Sequence, residues 1–329
     1  MKFGLNIPTA SEGYYYAPPF ASPEQLINLV KIADRLDYKS AWVNERFTLP
    51  KQISISGGHQ PSFYEVLVTL SYFARATARI SLVTGVLQPS FREPVLLAKQ
   101  VSTLDVFSGG RMVLGMGKGE NRQEFQAVNP RRSKASRGAL LDETLEAMKL
   151  LLGEDSATFS GRYHEFHAIS IWPKPLQKPF PIYLAGRSNN PNTYARIARW
   201  CEGWLLPISS SPDDVRNLRH ALIPMLEKEG RTIEQVDLAA ATILYLHKDR
   251  NKAVERFRSS KMVGFTGRKS IEEFAEIAPI GTVNDAIERI GKLQEAGATS
   301  CIAIKVPVDS YSELEEQVQM FAEDVMKWF

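Results

Sequence analysis

Ile80–Phe125, ISLVTGVLQPSFREPVLLAKQVSTLDVFSGGRMVLGMGKGENRQEF, reads as strand, helix, strand. Arg79–Val86 is apolar and β-branched, Pro94–Phe107 is amphipathic behind a first-turn proline, and Arg111–Met116 is apolar again. Apolar runs without polar alternation suit strands covered on both faces, as in a parallel sheet flanked by helices. A helix between two such strands is the crossover that returns the chain parallel to itself.

The alternation continues in both directions. Upstream, Lys2–Asn6 precedes a helix over Pro23–Leu36, and Ser40–Val43 precedes one over Pro61–Ala76. Downstream, a polar loop leads to a helix over Leu140–Leu152. Strands over Pro181–Ala185, Gly203–Leu206 and Val236–Leu246 precede helices near Thr193–Trp200, Pro212–Lys228 and Lys252–Ser259. The last strand, Ser300–Val306, lies between helices over Val283–Glu295 and Ser312–Trp328. Eight such units predict an α/β fold, a (β/α)8 TIM barrel with insertion segments; a doubly wound open sheet is the alternative. Phe47–Gln60, Phe159–Phe180 and Lys261–Thr282 are longer than a barrel requires, and the last reads as an irregular lid. Active sites of such barrels gather at the strand C-termini. Candidates therefore lie in Asn6–Thr9, Asn44–Phe47, Thr84–Gln88, Gly115–Asn121, Ala185–Asn190, Leu206–Ile208 and Lys305–Val308.

Composition narrows the function classes. The 329 residues are 44% hydrophobic and 23% charged, which suits a folded chain with a large core, and the length accommodates two average domains or one barrel. The net charge of +3 is spread along the helices, so no nucleic-acid stripe is expected. No window reads as a membrane span or signal segment, and Cys201 and Cys301 form no CxxC pair, so a reduced cytoplasmic setting is the expectation. The five histidines, at 59, 164, 167, 220 and 247, lack metal-ligand spacing, and no GxSxG elbow supports hydrolysis.

Three segments carry candidate chemistry. Gly115–Phe125 places three glycines at alternate positions after a buried strand, which allows close backbone approach to a ligand or a plain tight turn. Gly186–Asn190 opens a helix with glycine, arginine and a hydroxyl, a pattern that fits a phosphate or an ordinary polar cap. Thr84-Gly85-Val86 ends a strand on glycine, marking close packing or close approach. Tyr14, Tyr15 and Tyr16 stand together in the first loop, where a substrate or a second subunit would cover them, and His59 lies in the long loop after the second strand.

These residues resemble the bacterial-luciferase-like flavin-dependent oxidoreductases, TIM barrels that bind flavin mononucleotide or a deazaflavin coenzyme. Ile80–Phe125 carries the resemblance most strongly, with support from Arg137 and Glu143, Phe159–Gly161, Pro173–Tyr183, Gly281-Thr282 and Gly297. It spans essentially the whole chain and so favours one domain, residues 1–329. The resemblance implies a cis peptide at Gly85–Val86 beneath the flavin ring. It also implies cofactor phosphate contacts from Lys118, which falls where bacterial luciferase has an arginine, from Gly119, Glu120 and Asn121, which continue that loop, and from Gly186, Arg187 and Ser188. Such enzymes leave the hard chemistry to the cofactor.

Two positions depart from the family pattern. The family histidine after the second strand is replaced within Asn44-Glu45-Arg46-Phe47, and its reactive cysteine is Gly117 here. Glu45 is the candidate for proton transfer, and Arg46 for holding an anionic substrate group or pairing with Glu45. The leading expectation is a monooxygenase using reduced FMN from a separate flavin reductase, with O2, on a small molecule, covered by Tyr14–Tyr16, His59 and the 261–282 lid. The alternatives are deazaflavin-dependent hydride transfer and a non-catalytic flavin-binding or partner subunit. Family analogy implies a homodimer.

Overall fold

A computed structural model describes residues 1–48, 59–119, 121–186, 190–208 and 210–329, apart from the side chain of Ile304. Strand β1 (Lys2–Ile7) leads to α1 (Pro23–Arg35), where Ser22 and Gln25 form a capping box ahead of Pro23. β2 (Ser40–Val43) and α2 (Val66–Ala76) follow, then β3 (Ser81–Thr84) and α3 (Pro94–Ser108), which ends at Gly109 in the left-handed conformation. After β4 (Met112–Met116) come the short α4 (Arg122–Val128) and α5 (Arg137–Gly153). β5 (Ala157–Ser160) and β6 (Glu165–Ile169) form an antiparallel hairpin outside the barrel.

β7 (Ile182–Ala185) with α6 (Pro191–Trp200), β8 (Gly203–Leu206) with α7 (Pro212–Lys228), and β9 (Asp237–Ile243) continue the barrel. Next are β10 (Tyr245–Leu246), α8 (Arg250–Arg258), α9 (Ile271–Ala275), β11 (Ile280–Gly281) and α10 (Val283–Glu295). β12 (Ser300–Lys305) and α11 (Tyr311–Asp324) complete the chain's regular elements. The strands close in the order β1-β12-β9-β8-β7-β4-β3-β2, with every barrel pairing parallel. The expected (β/α)8 barrel is therefore observed, and closure excludes the open sheet.

Period-two alternation gives each strand one face toward the helices and one toward the barrel axis. The axis is filled by Trp42, Val83, Val113, Ala239 and Ile302, with Tyr183 and Leu205 against them. Two residues further along these strands, and beyond Gly4 on β1, the inward positions are Asn44, Gly85, Gly115, Ala185, Ala241 and Asn6. Large side chains thus plug the middle, and small or amide side chains line the C-terminal end. Gly4 is required beside the plug, because a Cβ there would lie 2.6 Å from Ile302 and 2.9 Å from the Trp42 indole nitrogen.

Several boundaries differ from the sequence expectations. The second helix begins at Val66 rather than Pro61, because the Glu65 carboxylate caps the Val68 N–H. Val236–Leu246 divides into β9 and β10, and the 261–282 segment is ordered: a 3-10 turn at Lys261–Thr266, α9, and β11 paired in parallel with β10. α4 lies within the segment read as a polar loop. Trp42 is 1% exposed at the centre of the plug. Replacing it by alanine is predicted to cost about 3–5 kcal/mol of stability, measured by urea unfolding.

Candidate active site

The floor of the barrel mouth is a chain of amide contacts. Asn6 Nδ2 donates to the Trp42 carbonyl at 2.9 Å and to Asn44 Oδ1 at 2.5 Å, and Asn44 Nδ2 donates to the Gly85 carbonyl at 3.0 Å. The Gly85–Val86 peptide is cis. Beyond it, Leu87 rejoins the sheet: its N–H donates to the Gly115 carbonyl at 2.8 Å, which also accepts from Thr84 Oγ1 at 2.7 Å. Three strands thereby present one peptide plane to the mouth. A Cβ on Gly115 would lie 2.1 Å from the Thr84 carbonyl oxygen, so only glycine permits this approach.

The two glycine-bearing loops flank this floor. Lys118 is exposed, and Gly119 has φ +71° with its carbonyl accepting from Arg137 at 2.9 Å. Asn121 is committed to capping α4, its Oδ1 accepting from Gln123 and Glu124 N–H groups at 2.9 and 3.1 Å. Gly186 packs against Thr193 of α6, whose cap is Asn190. Glu120, Arg187 and Ser188 lie outside the described residues.

Buried charge is concentrated after β2 and at the end of β12. Glu45 is buried: Oε2 accepts from the Gln88 N–H at 2.8 Å, and Oε1 lies 2.6 Å from Arg92 without hydrogen-bond alignment. Arg92 donates to Glu65 at 2.7 Å from that same nitrogen. Burial raises the Glu45 carboxyl to about 7 despite the nearby Arg92. Glu45 therefore pairs with Arg92 and not with Arg46. Arg46 stacks over Tyr14, 4.3 Å from the ring centroid, and lies 3.8 Å from Glu124. Glu124 Oε1 accepts from the Phe47 and Thr48 N–H groups at 2.8 and 3.3 Å, while Oε2 faces Arg46.

Lys305 ends β12, next to a register shift between Ala303 and Lys305. Its Nζ donates to Ser11 Oγ at 3.0 Å and lies 4.6 Å from the Tyr15 ring centroid. It is 4% exposed, and burial, assisted by the Arg46 charge, lowers its ammonium to about 7. No described carboxylate lies within 4.0 Å of it. Such a site is costly for a cation unless an anion joins it.

The three tyrosines separate. Tyr14 lies under Arg46 and beside Phe63, and its buried hydroxyl has no hydrogen-bond partner among the described residues. Tyr15 meets Phe265 of the lid segment, ring centroids 5.2 Å apart. Tyr16 is core: it stacks on Phe20 and donates to the Val306 carbonyl at 3.0 Å. His59 lines a 680 Å3 cleft between the N-terminal ends of α1 and α11, whose walls include none of the floor residues. Arg92 and Glu124 join the site without having been singled out by sequence, while Asn6 and Lys305 open two of the candidate segments and Arg137 is one of the family matches. Lys305 carried a signal, as the one charge closing the apolar run SCIAIKV.

Opposite pH slopes follow from the two buried groups. Glu45 rises from its ordinary 4.5 to about 7, so the folded state binds its proton more tightly and stability falls as pH rises through that window. Lys305 drops from 10.5 to about 7, so the unfolded state binds its proton more tightly and stability rises with pH across that window. In urea unfolding at pH 7.5 and 9.5, Lys305→Met is predicted to lose a stabilisation with pH that the parent chain displays.

Comparison with known proteins agrees with this geometry. The F420-dependent glucose-6-phosphate dehydrogenase of Amycolatopsis mediterranei is 27% identical, spanning 95% of this chain and 97% of that protein. Its counterpart in Kineococcus radiotolerans is 29% identical over 81% of this chain and 77% of that one. Among solved structures, monooxygenase RslO1 from Streptomyces bottropensis superposes with a TM-score of 0.78 at 22% identity, covering 100% of this chain and 99% of the other. The coenzyme F420 dependent tetrahydromethanopterin reductase from Methanopyrus kandleri gives 0.76 at 20% identity with the same coverage. The family model of the luciferase-like monooxygenases matches residues 1–300, and the chain belongs to that family.

Proposed function

We propose that this protein is an oxidoreductase that binds the deazaflavin coenzyme F420 and transfers hydride to or from a small molecule. The observation that carries the reading is the amide-lined floor around Gly85–Val86 in a barrel two of whose curated relatives, matched over 77% and 97% of their length, are named for F420. The residues fit such a ligand. Tyr14 offers a buried hydroxyl without a described partner, and Gly115, Gly117 and Gly119 keep side chains off the loop beside the floor.

The bound coenzyme supplies the hydride-exchanging carbon. The chain supplies position and charge. The Gly85–Val86 peptide, whose Gly85 carbonyl accepts from Asn44, would support the ring system. Gly119, with Arg137 at its carbonyl, and Gly186 at the start of α6 would hold the phosphate end, helped by Lys118, Glu120, Arg187 and Ser188 as the family resemblance implies. Glu45 has both oxygens engaged with Gln88 and Arg92, so its assigned role is to fix the segment that follows the floor. Tyr15 and Phe265 close the lid side and exclude water.

The second reading is the monooxygenase that uses reduced FMN from a reductase, with O2. It is favoured by Arg46 standing where the family histidine is expected. Titrating the purified chain with F420 and with oxidised and reduced FMN, followed by fluorescence, separates the two. Tight F420 binding is expected, weakened about tenfold or more in Gly119→Ala, where a Cβ would lie 2.0 Å from Gln88 Oε1. Preference for reduced FMN would replace hydride transfer by oxygenation, and binding of neither would sink both. Tight binding without turnover across a substrate panel would leave the partner-subunit reading.

A homodimer is proposed through α2 and α3, which pack together and leave Val68, Tyr72, Leu96 and Phe107 exposed. Sedimentation of Tyr72→Glu/Phe107→Glu is predicted to give a monomer where the parent chain gives a dimer.

A further inference from the structure

We infer that Arg46 and Lys305, together with the hydroxyl of Tyr14, form a binding subsite for an oxyanion group of the substrate: a carboxylate, sulfonate or phosphate. The inference deepens the proposed function and rests on it, since it takes the barrel mouth as the substrate side of the coenzyme.

The two cations are displayed by one structural unit. Arg46 lies 4.3 Å above the Tyr14 ring and Lys305 4.6 Å from the Tyr15 ring, and those rings are neighbours with centroids 6.1 Å apart. Both cations come from strand C-termini, Arg46 after β2 and Lys305 at the end of β12, so both belong to the active face of the barrel. The register shift beside Lys305 is of the kind that redirects a side chain at a barrel rim.

Their charge is undercompensated. The described carboxylate within 4.0 Å of Arg46 is Glu124, whose Oε2 faces it at 3.8 Å, beyond hydrogen-bond distance, while Oε1 accepts from two backbone N–H groups. Lys305 has Ser11 Oγ and an aromatic face, and no described carboxylate within the same distance. Glu45 and Glu65, the nearby acids after β2 and before α2, are both engaged by Arg92. Tyr14 adds a buried O–H with no described acceptor. Two cations and an unused donor around two half-buried tyrosine rings are complementary to an oxyanion, which would accept charge-assisted hydrogen bonds from them. The lid reaches this subsite through Phe265 on Tyr15, so an anion there would be covered.

Isothermal titration calorimetry with sodium acetate, sodium methanesulfonate and inorganic phosphate, at ionic strength fixed with sodium chloride, tests the subsite in protein with and without F420. Saturable binding of at least one oxyanion is expected in the coenzyme-loaded protein, weakened about tenfold or more in Lys305→Met and in Arg46→Gln. Circular dichroism verifies the fold of each variant, and Tyr14→Phe, which keeps the ring, should weaken binding more mildly if either charge variant fails to fold. Absence of oxyanion binding, or binding insensitive to these variants, overturns the inference. Binding abolished by preloading F420 also overturns it, because the anion then occupies the coenzyme's own phosphate site. Failure of F420 to bind at all sinks the proposed function separately, since oxyanion binding and its dependence on Lys305 are read independently in coenzyme-free protein.

Discussion

The structure depends on how high Trp42 stands inside the barrel. Its indole occupies the axis, fully buried, with Nε1 donating to Ser40 Oγ at 2.8 Å. A Cβ on Gly85 would come within 3.0 Å of its ring, so the strand beside it must be free of side chain as it passes over the indole. The plug therefore sets both the depth of the mouth and the residues that can line it. Asn6 then reaches the Trp42 carbonyl, Asn44 reaches the Gly85 carbonyl, and the floor is drawn into one hydrogen-bonded surface. Packing below and polar recognition above are two ends of the same constraint.

Charge around the mouth is divided unequally. On one side, Glu45 and Glu65 both lie against one Arg92 nitrogen, at 2.6 and 2.7 Å, so both acids pair with one cation, and Glu45 additionally holds the Gln88 N–H. That cluster secures the turn after the floor. On the other side, Arg46 and Lys305 lean on tyrosine rings, which stabilise a cation without neutralising it. The difference separates charges that hold the structure from charges left available to a ligand.

Much of the fold was legible because strand and helix periods differ and because buried parallel strands read as unbroken apolar runs. Lys2–Ile7, Met112–Met116 and Gly203–Leu206 were readable on that basis. The start of α2 was not, because Glu65 rather than Pro61 provides the cap. The glycine loops and Gly85 were recognisable as places for a tight turn, close packing or close backbone approach, with a ligand as one of the readings. Pairings remote in sequence were not: nothing local says that Glu45 meets Arg92, that Arg46 meets Glu124, or that Tyr16 turns inward while Tyr14 and Tyr15 stay at the mouth. The order within the 261–282 segment was missed because a two-residue strand such as β11 has no periodicity to read.

The pairing of β10 with β11 brings the two ends of one long excursion together. Tyr245 and Leu246 lie in register with Ile280 and Gly281, so the chain leaves and returns to the barrel at almost one point. Everything between them, including α8, α9 and Phe265, is a closed loop whose internal length has little bearing on the barrel's register. Its anchorage is uneven: Arg256 donates to the Pro307 carbonyl at 2.9 Å and Phe257 and Phe274 are fully buried in the main core, whereas Phe265 faces Tyr15. Exchanges confined to the stretch around Phe265 would therefore reshape the cover above the mouth while leaving the plug, the floor and the coenzyme loops in place.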